Sequence, residues 1–232
     1  MNKVKVKICG LKREKDLEIC VKLGVDILGF VVEYPTPVPW NIGRNDARQL
    51  LKMIDKMDSV GHSPRSCLVT GGPPEKVIEL AESLKPSMIQ LHYNETLQDT
   101  IIITDRLRKL NIDIIKTIPP SKENRISQFA TADIEKIVKL LCDTGVYALL
   151  VDSRTPANAP GSGLLLDIDL CSQIIRLSSK PVIIAGGINA GNVSGIISRT
   201  GSDFIDVMTG IEKEPGIKDA DMLSNLMKAI NK

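Results

Sequence analysis

Two rhythms alternate along the chain: runs of four to six mostly apolar residues, and longer stretches in which apolar positions recur at helical spacing. The runs predict strands at Val4–Ile8, Ile27–Val32, Ser66–Val69, Met88–Leu91, Ile112–Thr117, Ala148–Val151, Pro181–Ile184 and Phe204–Val207. The stretches between them predict helices at Arg13–Lys22, Asn45–Lys56, Glu75–Leu84, Thr96–Leu110, Asp133–Leu141, Asp167–Leu177, Asn192–Arg199 and Asp219–Ile230. End signals agree with these bounds: Pro73-Pro74 precede a helix, Asn192 and Asp219 stand at N-cap positions, and Gly24 and Gly201 follow helix ends. One helix after each of eight strands is the pattern of a parallel α/β sheet. It predicts a single (β/α)8 TIM barrel over residues 1–232, with an open doubly wound sheet as the rival.

Three loops carry more Gly and Pro than a turn requires: YPTPVPWNIGR, DSRTPANAPGSG and AGGINAGN, after the second, sixth and seventh strands. All three fall at the carboxyl end of a barrel, the face on which such folds build their sites. At the first strand, KVKVKICG places Val4, Val6 and Ile8 on one face and Lys5, Lys7 and Cys9 on the other. With the aliphatics against the helices, the lysines point into the barrel and Cys9 stands highest, toward the mouth. A free cysteine there is either a small buried hydrophobe or a proton-transfer group. Lys7 beneath it needs a partner, because an unpaired interior ammonium is costly. Asp152, after four apolar residues, is either a loop cap or a catalytic acid. An acid and a base at the mouths of two different strands suit an isomerisation, which gives one proton and takes another.

Gly186-Gly187 and Met208-Thr209-Gly210 follow the last two strands, where backbone N–H groups of this fold converge on phosphate. Gln90 and His92 close the fourth strand on one face, as structural hydrogen-bonding residues or as contacts to substrate. Two histidines without a carboxylate cluster predict no metal site, and the proton chemistry predicts no cofactor.

Composition narrows the partners. With 30 basic against 28 acidic residues, and three Phe, three Tyr and one Trp, there is neither a basic footprint nor a stacking platform for nucleic acid. Five widely spaced cysteines argue against a disulfide framework and point to a reducing cytoplasm. No apolar run approaches the roughly 18 residues of a membrane span. The expected partner is a small phosphorylated substrate, and the pattern fits a monomer or a homodimer equally.

Six motifs in chain order, KICGL, QLHY, LLVDS, PGSGLLLD, IIAGGINAGNV and IDVMTGIEKEPGIKD, resemble those of the phosphoribosylanthranilate isomerases, cofactor-free (β/α)8 enzymes of tryptophan biosynthesis. The resemblance covers nearly the whole chain. It implies an Amadori rearrangement with Cys9 as general base and Asp152 as general acid. It also implies phosphate held by Gly186, Gly187, Met208, Thr209 and Gly210, with Asp206 shaping the last loop, and substrate contacts from Lys7, Gln90, His92, Gly161, Ser162 and Gly163. Two positions depart from the family. Where it has S-P-R, whose arginine is expected to grip the anthranilate carboxylate, this chain has Val38-Pro39-Trp40. Arg44 or Trp40 is the candidate replacement. Met208 stands in place of the first serine of S-S-G. The segment from Pro119 to Ala132 is longer than the family pattern. The same scaffold therefore also admits a paralogue that isomerises or binds a different sugar phosphate.

Overall fold

The computed structural model describes residues 3–57, 63–152 and 166–230. Eight parallel strands close into a barrel: β1 (Lys5–Ile8), β2 (Ile27–Val32), β4 (Arg65–Thr70), β5 (Met88–Leu91), β6 (Asp113–Ile118), β7 (Ala148–Asp152), β8 (Val182–Ala185) and β9 (Phe204–Val207). Each pairs with its neighbour in chain order, and β1 closes the ring by pairing with β9 on one side, Lys7 opposite Asp206, and β2 on the other, Lys7 opposite Ile27. A two-residue strand, β3 (Asn41–Ile42), extends the sheet beside β2, and an antiparallel hairpin of β10 (Glu212–Glu214) and β11 (Ile217–Lys218) follows the last barrel strand.

The helices are α1 (Glu14–Lys22), α2 (Arg44–Met57), α3 (Pro74–Leu84), α4 (Leu97–Arg108), α5 (Lys122–Phe129), α6 (Ile134–Cys142), α7 (Ile168–Leu177), α8 (Val193–Thr200) and α9 (Ala220–Ile230). All but α5 match the expected segments within two residues at each end, which is the ordinary uncertainty of a helix boundary. Thr96 forms a capping box with Asp99, Asp133 and Asp167 cap α6 and α7, and Asp219 accepts from the Met222 N–H. Asn192 precedes α8 but caps nothing: its side chain accepts from the Asn189 N–H at 2.8 Å and donates to the Gly187 carbonyl at 2.9 Å, bracing the loop after β8.

Helix α5 falls in a segment that the apolar pattern leaves as loop. Its buried residues are Arg125, Gln128 and Phe129, so it turns a mostly polar face inward and leaves no apolar stripe in the sequence. The Arg125 guanidinium holds it by donating to the carbonyls of Pro119, Pro120 and Ala132.

Strand parity divides the core. Val6, Ile8, Leu28 and Leu68 face outward into the layer between barrel and helices, while Ile27, Cys67, Met88, Ile115, Leu150, Ile183 and Phe204 fill the lower barrel interior. Lys7 is fully buried on the inner face, as the alternation in KVKVKICG requires. Lys5 at the bottom is exposed, with its ammonium 5.9 Å from the Phe204 ring centroid.

Candidate active site

The upper end of the barrel opens into a cavity of about 600 Å3 to which every barrel strand or its following loop contributes. Cys9 stands at the end of β1, Asp152 at the end of β7, and Gln90 with His92 at the end of β5; all four line this space. The loops after β8 and β9 add Gly186, Gly187, Asp206, Met208, Thr209 and Gly210. The loop after β2 contributes Tyr34, Val38 and Trp40, and α5 contributes Asn124 and Gln128. Gly161, Ser162 and Gly163 lie outside the described residues.

Cys9 is 5% exposed and packs with Val31, Val69, Trp40 and Met208. Burial pushes its thiol above the ordinary cysteine value; the Lys7 ammonium pulls it down, Asp206 pushes it up, and Lys218 pulls it down again. The partner that Lys7 needs is Asp206, whose Oδ2 lies 2.7 Å from the ammonium. Burial is the largest single influence on Lys7 and would lower it, but the Asp206 charge and hydrogen bond, together with the Cys9 and Cys67 thiols, outweigh it and hold the side chain protonated. Neither residue is placed to meet phosphate. Lys7 lies under the floor, and Asp206 is a hydrogen-bond acceptor whose buried Oδ1 has no partner and whose side chain borders the cavity. A carboxylate repels a phosphate, so the expected phosphate role of Asp206 fits the geometry poorly, and its carboxylate serves Lys7 instead.

The loops after β8 and β9 are built for close approach. Gly186 and Gly187 both take positive φ, at 113° and 62°. A Cβ on Gly210 would collide with the Ile188 carbonyl oxygen, so only glycine lets the β9 loop lie against the β8 loop. Gly210→Ala should therefore separate the loops and raise KM about tenfold, the value of one lost charge-assisted hydrogen bond, with a smaller change in kcat. Steady-state kinetics checks this, and an unchanged KM would show that the two loops do not act together.

On the opposite side, His92 Nδ1 is 2.9 Å from Gln90 Nε2 and 3.0 Å from Thr117 Oγ1, while His92 Nε2 points toward Asp152 Oδ2 at 3.8 Å. Arg44 is not brought to the cavity. Its guanidinium is held by Glu33 at 3.0 and 3.1 Å and by Glu79 at 2.6 Å, so both edges of its fork are occupied outside the mouth. Trp40 does reach the cavity, with its Nε1–H donating to Glu212 at 3.0 and 3.2 Å. None of the described residues lining the cavity is Lys or Arg. Among the described residues there is also no group of three His, Cys, Asp or Glu placed to share a metal ion.

Residues that the sequence reading assigns no role are Glu212 and Lys218 on the terminal hairpin, Tyr34, and the α5 amides. Glu212 and Lys218 stand inside the GIEKEPGIKD motif, the signal that points to them.

The family model described as N-(5'-phosphoribosyl)anthranilate (PRA) isomerase matches residues 6–229. Among curated relatives, the N-(5'-phosphoribosyl)anthranilate isomerase of Methanosarcina acetivorans is 29% identical over 222 residues, covering 94% of this chain and 89% of its own. That of Rhodopseudomonas palustris is 30% identical over 234 residues, covering 97% and 95%. The solved phosphoribosyl anthranilate isomerase of Thermotoga maritima superposes with a TM-score of 0.77 at 26% identity, covering 98% of each chain.

Proposed function

Since the chain belongs to the N-(5'-phosphoribosyl)anthranilate isomerase family, we propose that it converts N-(5'-phosphoribosyl)anthranilate to 1-(2-carboxyphenylamino)-1-deoxyribulose 5-phosphate, a step of tryptophan biosynthesis, with Asp152 as acid and Cys9 as base. The observation that carries the assignment of roles is the placement of a carboxyl and a thiol on different walls of one cavity, with the glycines of the β8 and β9 loops lining it beside them. Asp152 gives a proton to the ribose ring oxygen as the C1–O bond breaks, and the anthranilate nitrogen supplies its lone pair to form a C1=N Schiff base. Cys9 then takes the C2 proton; the C–H electrons form C1=C2 and the nitrogen regains its pair. The resulting enolamine gains a proton at C1 and loses its C2 hydroxyl proton to become the ketose. Backbone N–H groups around Gly186, Gly187, Thr209 and Gly210 hold the phosphate, and Asp206, paired with Lys7, shapes the last loop.

The base must be a thiolate, and burial favours the thiol. On this reading the rate of Cys9 alkylation by iodoacetamide, taken as the difference between wild type and Cys9→Ser, rises with pH through the alkaline range toward the elevated Cys9 value, a readout that does not depend on the proton Asp152 must carry in turnover. A rate flat from neutrality upward would mean that Cys9 is already a thiolate there.

Phosphate at the β8–β9 side leaves the anthranilate ring to the loops after β2 and β5 and to α5, where Trp40 offers an aromatic wall and Asn94 and Asn124 offer amide donors to the carboxylate. The test is consumption of phosphoribosylanthranilate, followed by the fall in anthranilate-type fluorescence, by the wild-type chain and by Trp40→Arg. An arginine there lies beside Glu212 and is captured by it, so kcat/KM should fall. A rise would show an aglycone carboxylate without a partner, and no turnover by either protein would favour a different sugar phosphate as substrate.

A further inference from the structure

The hairpin β10–β11 lies behind the cavity and contributes no residue to its lining, yet its two buried charges are bonded to three of the segments that do. Glu212, its side chain 4% exposed, accepts from the Trp40 indole, from the Lys218 ammonium at 2.6 Å and from the Gly216 N–H at 3.2 Å. Lys218, its side chain 1% exposed, directs its three donors to Glu212, to the Met208 carbonyl at 3.2 Å and to the carbonyl of Cys9 at 2.5 Å. The indole also lies against the backbone beside Cys9: a Cβ on Gly10 would fall 2.7 Å from Trp40 Cδ1.

We propose that the Glu212–Lys218 pair is a positioning device that ties the aromatic wall for the aglycone, Trp40, to the backbone of the general base, Cys9, so that ring recognition and proton abstraction share one ion pair. The inference rests on the assignment of Trp40 and Cys9 given above and deepens it. Three features support it. Every donor of the ammonium is used, which fixes its place. The pair is desolvated, so removing one partner leaves an uncompensated buried charge and shifts the other. And the groups it holds are main-chain carbonyls and an indole N–H, which locate neighbouring atoms without touching substrate.

The chain has one tryptophan, so its emission reports this wall alone. Acrylamide quenching of Trp40 in the unliganded protein should be weak, and stronger in Glu212→Gln, whose neutral amide no longer balances Lys218. The same variant should lose roughly tenfold in kcat as well as raising KM, because a small displacement of a reacting group remote from the change is enough for that loss. Trp40→Phe keeps a ring but removes the tether, and should raise KM with kcat falling less. In the Trp40→Phe background, Glu212→Gln should add little to KM while its kcat loss persists. Unchanged quenching together with unchanged kcat in Glu212→Gln would overturn the proposal, as would full additivity of the two KM effects. If Glu212→Gln does not fold, Trp40→Phe alone decides, since an unchanged KM would overturn the tether. Quenching needs no substrate, so a protein that fails to convert phosphoribosylanthranilate would sink the assigned reaction while the quenching still tests the link between Glu212 and Trp40.

Discussion

Replacing Asp152 with asparagine, or Cys9 with serine, should lower kcat by about 10² or more, the usual contribution of a positioned proton-transfer group. In Asp152→Asn the amide keeps the size of the carboxyl at the end of β7 but cannot protonate the ribose ring oxygen, so the ring stays closed. Cys9→Ser keeps a small side chain among Val31, Val69, Trp40 and Met208, but a hydroxyl ionises far less readily than a thiol. The two losses act on consecutive steps, so the double variant should be only a little worse than the poorer single one. Binding of a non-reacting phosphorylated analogue should change little in either, and steady-state rates with calorimetric binding separate the two quantities. Wild-type turnover in both variants would remove these residues from the chemistry.

Lys7→Met is expected to be the most damaging change to stability. Lys7 is entirely buried and its ammonium neutralises Asp206 at 2.7 Å. Methionine fills similar volume but strands the carboxylate, at a cost of about 3–5 kcal/mol. That cost should shrink in acid, where a proton can neutralise the stranded group. It should also shrink in Lys7→Met combined with Asp206→Asn, because removing both charges leaves no ion unpaired. Urea denaturation of the three proteins tests this: equal midpoints for wild type and Lys7→Met would show that the pair carries no stability. Such a result would also weaken the claim that the two charges set the environment of Cys9.

The barrel was legible because its signal is repeated. Eight apolar runs and eight amphipathic segments each carry the same alternation, and KVKVKICG alone was enough to place Lys7 inside and Cys9 above it. What escaped was local structure with no such alternation. Helix α5 buries Arg125 and Gln128, and β3 and β11 are two residues each, too short for a period-two pattern. The site was legible in the same uneven way. Cys9, Asp152, Gln90, His92 and the glycine loops stand at strand ends, where the fold forces them to one mouth. Asp206 as the counter-ion of Lys7 follows from two strands that become neighbours only when the barrel closes, 199 residues apart in sequence. Arg44 illustrates the converse: four residues from Trp40, it turns instead to Glu33 and Glu79, and sequence distance gives no warning of that choice.

Proton abstraction from the sugar by the chain's own thiol is the centre of the account, and phosphoribosylanthranilate deuterated at ribose C2 tests it most directly. Wild-type conversion should show a primary isotope effect and release label to water, and both should be lost in Cys9→Ala. Cys9→Ala that matches the wild-type rate and isotope effect would show that another group takes the C2 proton.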